Sequence, residues 1–77
     1  AEVDVAGGSI TMSLIDFEVV EKLGVASVRL DVAGVIGEYN ERTILLARLI
    51  MNAKELDEVE FINGDRTDLS RENLRIK

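Results

Sequence analysis

The residues whose types could do chemistry are concentrated in the last third of the chain. Four acidic side chains fall close together there, at Glu55, Asp57, Glu58 and Glu60. The chain has no histidine and no cysteine, so a metal site would need oxygen ligands alone, which favours hard ions such as Mg²⁺ or Ca²⁺. Because these acids lack the ligand spacing of an EF-hand loop, we interpret them as a solvated face and expect no metal and no cofactor.

The basic residues of the same region could contact phosphate groups. They are Arg66, Arg71 and Arg75. Binding to nucleic acid normally rests on a basic surface, because phosphate contacts supply most of the affinity. Residues 1–41 carry eight acidic and two basic side chains, residues 42–77 carry seven of each, and the net charge is −6. We therefore expect the three arginines to be solvated surface residues, with contact to nucleic acid left open as the alternative.

The residues between the two last apolar segments predict a closed polar loop. Asn63-Gly64 is a strong turn pair. Asp65 and Asp68 can accept hydrogen bonds from backbone N–H groups of the loop, and Asn73 can tie the loop closed from its side chain to the backbone. These five residues therefore have a structural explanation that requires no chemistry.

The segment from Val59 to Ile76 resembles the central motif of HNH endonucleases, which usually reads Asp-His-Ile-Asn-Gly-Asp, then a short loop, then Asn-Leu-Arg. Glu60 stands at the acidic metal-ligand position and is longer than the usual aspartate, and Phe61 stands at the position of the catalytic histidine. The segment Leu46–Met51 is similar to the one that precedes the motif in a phage-type HNH group, with Ala47 in place of another histidine. The remnant of the motif consists of Glu60, Phe61, Asn63, Gly64, Asp68 and Asn73.

The resemblance implies a ββα-metal unit, in which the histidine activates water and a divalent ion stabilises the leaving oxygen. Phe61 has no proton-accepting atom and cannot act as that general base, so we expect it to add to the core instead. The family continues into a helix with the last metal ligand, whereas this sequence stops at Lys77, and we expect a domain without that helix. The chain is therefore predicted not to be an enzyme, and weak metal-dependent cleavage through Glu60 and a metal-bound water stays open.

The hydrophobic pattern predicts one small α+β domain over residues 1–77. We expect short antiparallel strands with one or two helices, ending in an HNH-like β-hairpin with a long loop. The longest apolar run, residues 42–52, is compatible with a buried strand that runs into a short helix. The predicted strands cover residues 9–13, 25–32, 35–39, 58–62 and 74–76.

An amphipathic helix is predicted over about residues 15–23. Ser13 or Asp16 could cap its N-terminus, and Gly24 is well placed to end it. The apolar side of this helix is expected to consist of Phe17, Val20 and Leu23.

Together these features predict a binding or regulatory module on a catalytically dead HNH-like scaffold, of phage or viral origin, that acts on a protein partner. Its acidic first half could steer it toward basic proteins, and DNA binding without cleavage is the alternative. The small size also allows a homodimer. No apolar run approaches the ~18–20 residues of a membrane span and no secretory leader is visible, so we expect a cytoplasmic protein without membrane contact.

Overall fold

A computed structural model describes all residues from 1 to 77. It contains seven short strands, two α-helices and one 3-10 helix, and every strand pair is antiparallel, so the α+β prediction is confirmed. The chain ends in a β-hairpin with a long loop, also as predicted. The elements are β1 (Glu2–Val5), β2 (Gly8–Thr11), α1 (Leu14–Lys22), β3 (Ala26–Asp31), β4 (Gly34–Tyr39), β5 (Arg42–Leu45), α2 (Leu46–Ile50), β6 (Val59–Phe61), the 3-10 helix (Arg71–Asn73) and β7 (Leu74–Ile76).

The strands form three small sheets. β1 pairs with β2, β3 to β5 form a three-stranded meander, and β6 pairs with β7. The loop of the last hairpin is anchored to the end of β2, because Thr11 N–H donates to the Thr67 carbonyl at 2.8 Å and Leu69 N–H donates to the Thr11 carbonyl at 2.6 Å. These two bonds fix the position of the C-terminal loop relative to the rest of the domain.

The meander depends on a tight turn and a close contact. Asn40 and Glu41, with φ of +50° and +62°, form the two-residue connection from β4 to β5, a geometry that matches the twist of the strands. Gly37 in β4 packs so closely that a Cβ atom would lie 2.6 Å from the side chain of Val25. A larger residue at this position would force the sheet away from the segment that leads into β3.

Helix α1 is confirmed with small shifts at its ends. The Oγ of Ser13 accepts a hydrogen bond from the Asp16 N–H at 3.1 Å, so Ser13 is the cap. Gly24 follows the helix with φ of +85°, in the left-handed conformation that glycine adopts at no steric cost. Val20 is buried and Phe17 packs against the core, as predicted.

Two apolar residues lie outside their predicted faces. Leu23 was expected in the core side of the helix, but it is the C-terminal cap residue and is exposed. The strand predicted over residues 25–32 ends at Asp31, and Val32 lies exposed in the turn. Leu23 keeps helical backbone angles and its N–H donates to the Val19 carbonyl at 3.0 Å, so its exposure reflects its place at the end of the helix. At Val32 the chain has left the strand geometry on which the periodicity depends.

The buried core draws its residues from β2, α1, β4, α2 and β7 and from the segments next to them. The apolar run at 42–52 forms β5 and then α2 without a break, as predicted, and α2 buries three of its five residues. Neither helix has the length and apolar character that a membrane span requires. The buried cluster consists of Ile10, Met12, Val20, Val35, Leu46, Ala47, Ile50, Leu69 and Leu74.

Candidate functional site

The hairpin formed by β6 and β7 places Glu60 directly opposite Arg75. The Arg75 Nε donates to the Glu60 Oε2 at 2.6 Å. This hydrogen bond lowers the pKa of the Glu60 carboxyl and raises the pKa of the Arg75 guanidinium. Glu60, which the resemblance places at a metal-ligand position, therefore forms an ion pair with the arginine opposite it.

Phe61 is partly buried and packs against the core, in agreement with its predicted role. It also lines a cavity of about 280 Å³, together with Ala47 and Leu69. Ala47 and Phe61 are the two positions at which the resemblance places histidines, and the fold brings them to the same cavity. The lining is mostly apolar there, so this site contains no ring nitrogen that could accept a proton or bind a metal.

The side chains of the hairpin do not fit a divalent ion. No three histidine, cysteine, aspartate or glutamate side chains are grouped as a metal site would require. Of the acidic cluster, Asp57 accepts a hydrogen bond from the Lys54 N–H at 2.9 Å and Glu58 lies 3.8 Å from the Lys77 ammonium. Glu55 and Glu58 are exposed to solvent as predicted, whereas Asp57 and Glu60, which were expected on the same solvated face, are half-buried.

Asn73 closes the polar loop, as the sequence predicts. Its side-chain Oδ1 accepts a hydrogen bond from the Asn63 N–H at 2.9 Å, and its Nδ2 donates to the Asp68 carbonyl at 3.1 Å. Asn73 is buried, and its own carbonyl accepts from the Ile62 N–H at 2.8 Å. One buried side chain thus joins the two ends of the loop.

The other polar residues of the motif hold the loop from within. The Asp65 Oδ1 accepts from the N–H and the hydroxyl of Thr67, at 2.9 and 2.7 Å, and these bonds lower the pKa of Asp65. The Asp68 Oδ1 accepts from the Ser70 N–H at 3.1 Å. Gly64 has φ of +78°, and a Cβ atom added there would have no neighbour within 4 Å. The loop residues of the motif therefore act as turn-forming and loop-closing residues.

The three arginines offered as nucleic-acid contacts are all engaged within the chain. Arg66 Nη1 donates to the Val32 carbonyl at 2.9 Å. Arg75 pairs with Glu60, and Arg71 pairs with Asp16. The guanidinium groups of Arg71 and Arg75 stay largely open to solvent, but a carboxylate neutralises each of them.

The pair between Asp16 and Arg71 was not predicted. The Arg71 Nε lies 3.1 and 3.0 Å from the two Asp16 oxygens, and its Nη2 lies 2.8 Å from Oδ1. The Asp16 side chain is 4% exposed and that of Arg71 is 64% exposed. The Arg71 hydrogen bonds, assisted by Ser13, lower the pKa of Asp16 against the opposing effect of burial. No spacing in the sequence connects residues 55 positions apart.

An exposed apolar stripe on α1 was also missed. It consists of Ile15, Val19 and Leu23, whose exposed fractions are 75%, 48% and 43%. Their spacing of four residues places them along one side of the helix, next to the side that carries Asp16 and Val20 into the interior. The spacing was visible in the sequence, but Leu23 was assigned to the core and the stripe was not recognised.

Comparisons with known proteins add no family to this description. Searches against protein-family models, curated proteins and solved structures gave no match for this chain. The resemblance to HNH endonucleases therefore rests on the residues of the motif and stays a prediction.

Proposed function

We propose that the chain is a non-enzymatic binding or regulatory module that docks onto a basic surface of a protein partner through helix α1. The observation that carries the proposal is the stripe of Ile15, Val19 and Leu23, whose side chains are exposed to solvent along one side of the helix. Apolar side chains spaced by four residues on a helix are the anchors of helix-in-groove recognition. Ile15 is the most exposed of the three and is the first candidate for an anchor residue.

Charge around the stripe supports a basic partner. Glu18 and Glu21 are exposed on the same helix, and the first 41 residues carry a large acidic excess. Complementary charge accelerates association and suppresses wrong partners more than it adds affinity. The apolar stripe would therefore supply most of the affinity, and the acidic residues around it would supply the selectivity for a basic partner.

The state of the hairpin supports a role without catalysis. Phe61 stands at the general-base position of the motif and cannot accept a proton. The chain therefore lacks the group that would take the proton from the attacking water. The carboxylate of Glu60 is paired with Arg75, so a metal ion or its bound water would have to compete with the guanidinium for it. On this proposal the HNH-like hairpin is a scaffold, and its loop is held by its own hydrogen bonds.

DNA binding without cleavage is the second candidate, because Arg71 and Arg75 present their guanidinium groups to solvent. Their pairing with Asp16 and Glu60 weakens this candidate, since a phosphate would have to compete with a carboxylate already in place. Anisotropy titration of labelled duplex and single-stranded DNA, at low and moderate salt, tests it directly. Binding that falls steeply with salt would favour DNA, and no binding at low salt would exclude it.

The primary proposal is tested by capture from a nuclease-treated lysate of the source organism. Three immobilised proteins are compared: wild type, Ile15→Asp and Leu56→Asp. Leu56 is the most exposed apolar residue of the chain and lies outside α1, so its substitution is a matched control for the added charge. We expect one basic protein to be recovered by the wild type and the control and reduced about tenfold or more by Ile15→Asp.

Two outcomes would contradict the proposal. One is recovery of nothing above background by the wild type, and the other is equal recovery by Ile15→Asp. Light scattering after size exclusion on the same proteins tests whether the stripe instead joins two copies of the chain. If the wild type and Leu56→Asp are dimers and Ile15→Asp is a monomer, the stripe binds a second copy of the chain instead of a different protein.

A further inference from the structure

We propose a second binding site, at the free edge of β5, that takes an extended acidic peptide segment of a partner protein. β5 pairs with β4 on one side only, and no strand lies on its other side. A cleft of about 400 Å³ opens beside this edge, between β5 and α2. The proposal does not depend on helix α1, because no residue of α1 lines this cleft.

The register of the hairpin leaves backbone groups unpaired at the edge. The two-residue turn at Asn40 and Glu41 makes Tyr39 and Arg42 the hydrogen-bonded closing pair. Hydrogen-bonded and non-hydrogen-bonded pairs alternate along an antiparallel ladder, so Thr43 turns its N–H and C=O away from β4. No turn, loop or cap takes up either group, and both are available to an added strand.

The cleft beside these groups suits one apolar side chain of such a strand. Its apolar lining consists of Tyr39, Ile44, Leu45, Leu49 and Ala53. In recognition by strand addition, main-chain hydrogen bonds give the affinity and pockets for alternate side chains give the specificity. The juxtaposition of an open edge with a single apolar cleft therefore fits an extended peptide better than a helix, which has no free backbone groups along its length.

Charge complementarity selects an acidic peptide. Residues 42–54 contain Arg42, Arg48 and Lys54 and no acidic residue, on a chain whose net charge is −6. None of the three forms a salt bridge within the chain, in contrast to Arg29, Arg71, Arg75 and Lys77. Among the residues that line the cleft, Arg48 is the only charged one.

Arg48 is positioned to present its charge at the cleft. Its Nη1 and Nη2 donate to the carbonyls of Asp57 and Lys54, which hold the guanidinium in place at the wall of the cleft. Carbonyl oxygens orient the group but do not cancel its charge. An acidic residue of the peptide, next to the one that enters the cleft, would meet this guanidinium.

The test uses a defined probe, a capped, fluorescein-labelled peptide of eight residues that alternates aspartate or glutamate with leucine. Three matched peptides accompany it: one with lysine for each acid, one with serine for each leucine, and one with N-methyl groups on the backbone face that would meet β5. We expect the acidic peptide to bind and each of the three changes to weaken binding about tenfold or more. Equal binding of the lysine or N-methylated peptide would overturn the proposal.

The decisive protein variant is Thr43→Pro. A proline there removes the outward N–H but no hydrogen bond to β4, and edge strands tolerate proline at such positions. We expect binding of the acidic peptide to fall about tenfold while the circular dichroism spectrum is retained. Because this variant could fail to fold, Arg42→Glu combined with Lys54→Glu provides a second test, and Lys22→Glu is the control, since Lys22 is an unpaired cation on α1.

Amide chemical shifts locate the bound peptide. Shifts confined to Thr43, Leu45 and Leu49 support the site, and shifts confined to α1 would overturn it. Two further results would also overturn it. In one, a single-stranded oligonucleotide binds at the same residues more tightly than the peptide. In the other, a second copy of the chain covers the edge, which would appear as concentration-dependent sedimentation that Thr43→Pro abolishes.

Discussion

The carboxylate of Asp16 lies buried in the protein and accepts hydrogen bonds from both Nε and Nη2 of Arg71, a residue that is itself largely exposed. This pair joins the first turn of α1 to the 3-10 helix that precedes the last strand. The two partners are unequal, because only the carboxylate has given up its contact with water. The ionised form of the buried Asp16 therefore needs Arg71 for its stability, whereas the exposed guanidinium of Arg71 would remain charged in water without Asp16.

Replacing Asp16 with asparagine is expected to lower the free energy of unfolding by about 1–2 kcal/mol, because charge-assisted hydrogen bonds to Arg71 are lost while the side-chain volume is kept. Urea unfolding followed by circular dichroism measures the change. Glu18→Gln, on an exposed position of the same helix, is the control and should stay within about 0.5 kcal/mol of the wild type. Equal losses in the two variants would mean that the pair with Arg71 is not a source of stability.

The contribution of Asp16 should also depend on pH. Its folded pKa is lowered below the ordinary value of 3.8, mainly by the Arg71 hydrogen bonds. As the pH falls, the unfolded chain therefore binds this proton before the folded chain does, which favours unfolding. The stabilisation is complete above the ordinary pKa, declines below about pH 4, and is lost once the pH falls through the folded pKa.

This pH dependence is measured as a difference between two proteins, because Glu60 and Asp65 also have lowered pKa values. The unfolding free energy of wild type minus that of Asp16→Asn isolates the one group. We expect this difference to be constant from about pH 7 to about pH 5 and to narrow as the pH falls below about 4. A difference that instead grows toward acid pH would reverse the sign of the shift and contradict the assignment.

Asn73→Ala should open the C-terminal loop. The substitution removes the acceptor of the Asn63 N–H and the donor to the Asp68 carbonyl at a buried position, so we expect a loss of about 2 kcal/mol. Limited proteolysis should show faster cleavage between residues 63 and 70 than in the wild type. The neighbouring exposed Glu72→Ala serves as the control, and unchanged proteolysis in Asn73→Ala would show that the loop is held by other contacts.

Phe61→His tests whether the missing histidine alone separates this chain from a nuclease. We expect no nicking of plasmid DNA with Mg²⁺, because Glu60 remains paired with Arg75 and no three acidic side chains are grouped as a metal site would require. Stability should fall by about 1–2 kcal/mol, since a polar ring replaces an apolar one against the core. Magnesium-dependent nicking by this variant, absent in Phe61→Leu, would make the hairpin a nuclease site that lacks only its base.

Several parts of the fold were predictable because they depend on a few neighbouring residues. Ser13 and Gly24 mark the two ends of α1, and both act through hydrogen bonds or backbone geometry within one turn. The Asn40-Glu41 turn and the β6 and β7 strands were likewise readable from turn residues and alternation. The closure of the loop by Asn73 followed from its residue type and its distance from Asn63 along the chain.

The sequence by itself thus determined most of the elements, though not β1 or the 3-10 helix, together with the polar loop and the absence of a proton acceptor at Phe61. Only the tertiary structure decided which charged side chains pair. It brought Arg71 to Asp16 and Arg75 to Glu60, and it left Arg48 bound to carbonyl oxygens without a carboxylate partner. It also decided that Ile15 faces solvent. Local patterns act over a turn or a strand, whereas these contacts depend on how distant elements pack together, and no periodicity in the chain encodes that packing.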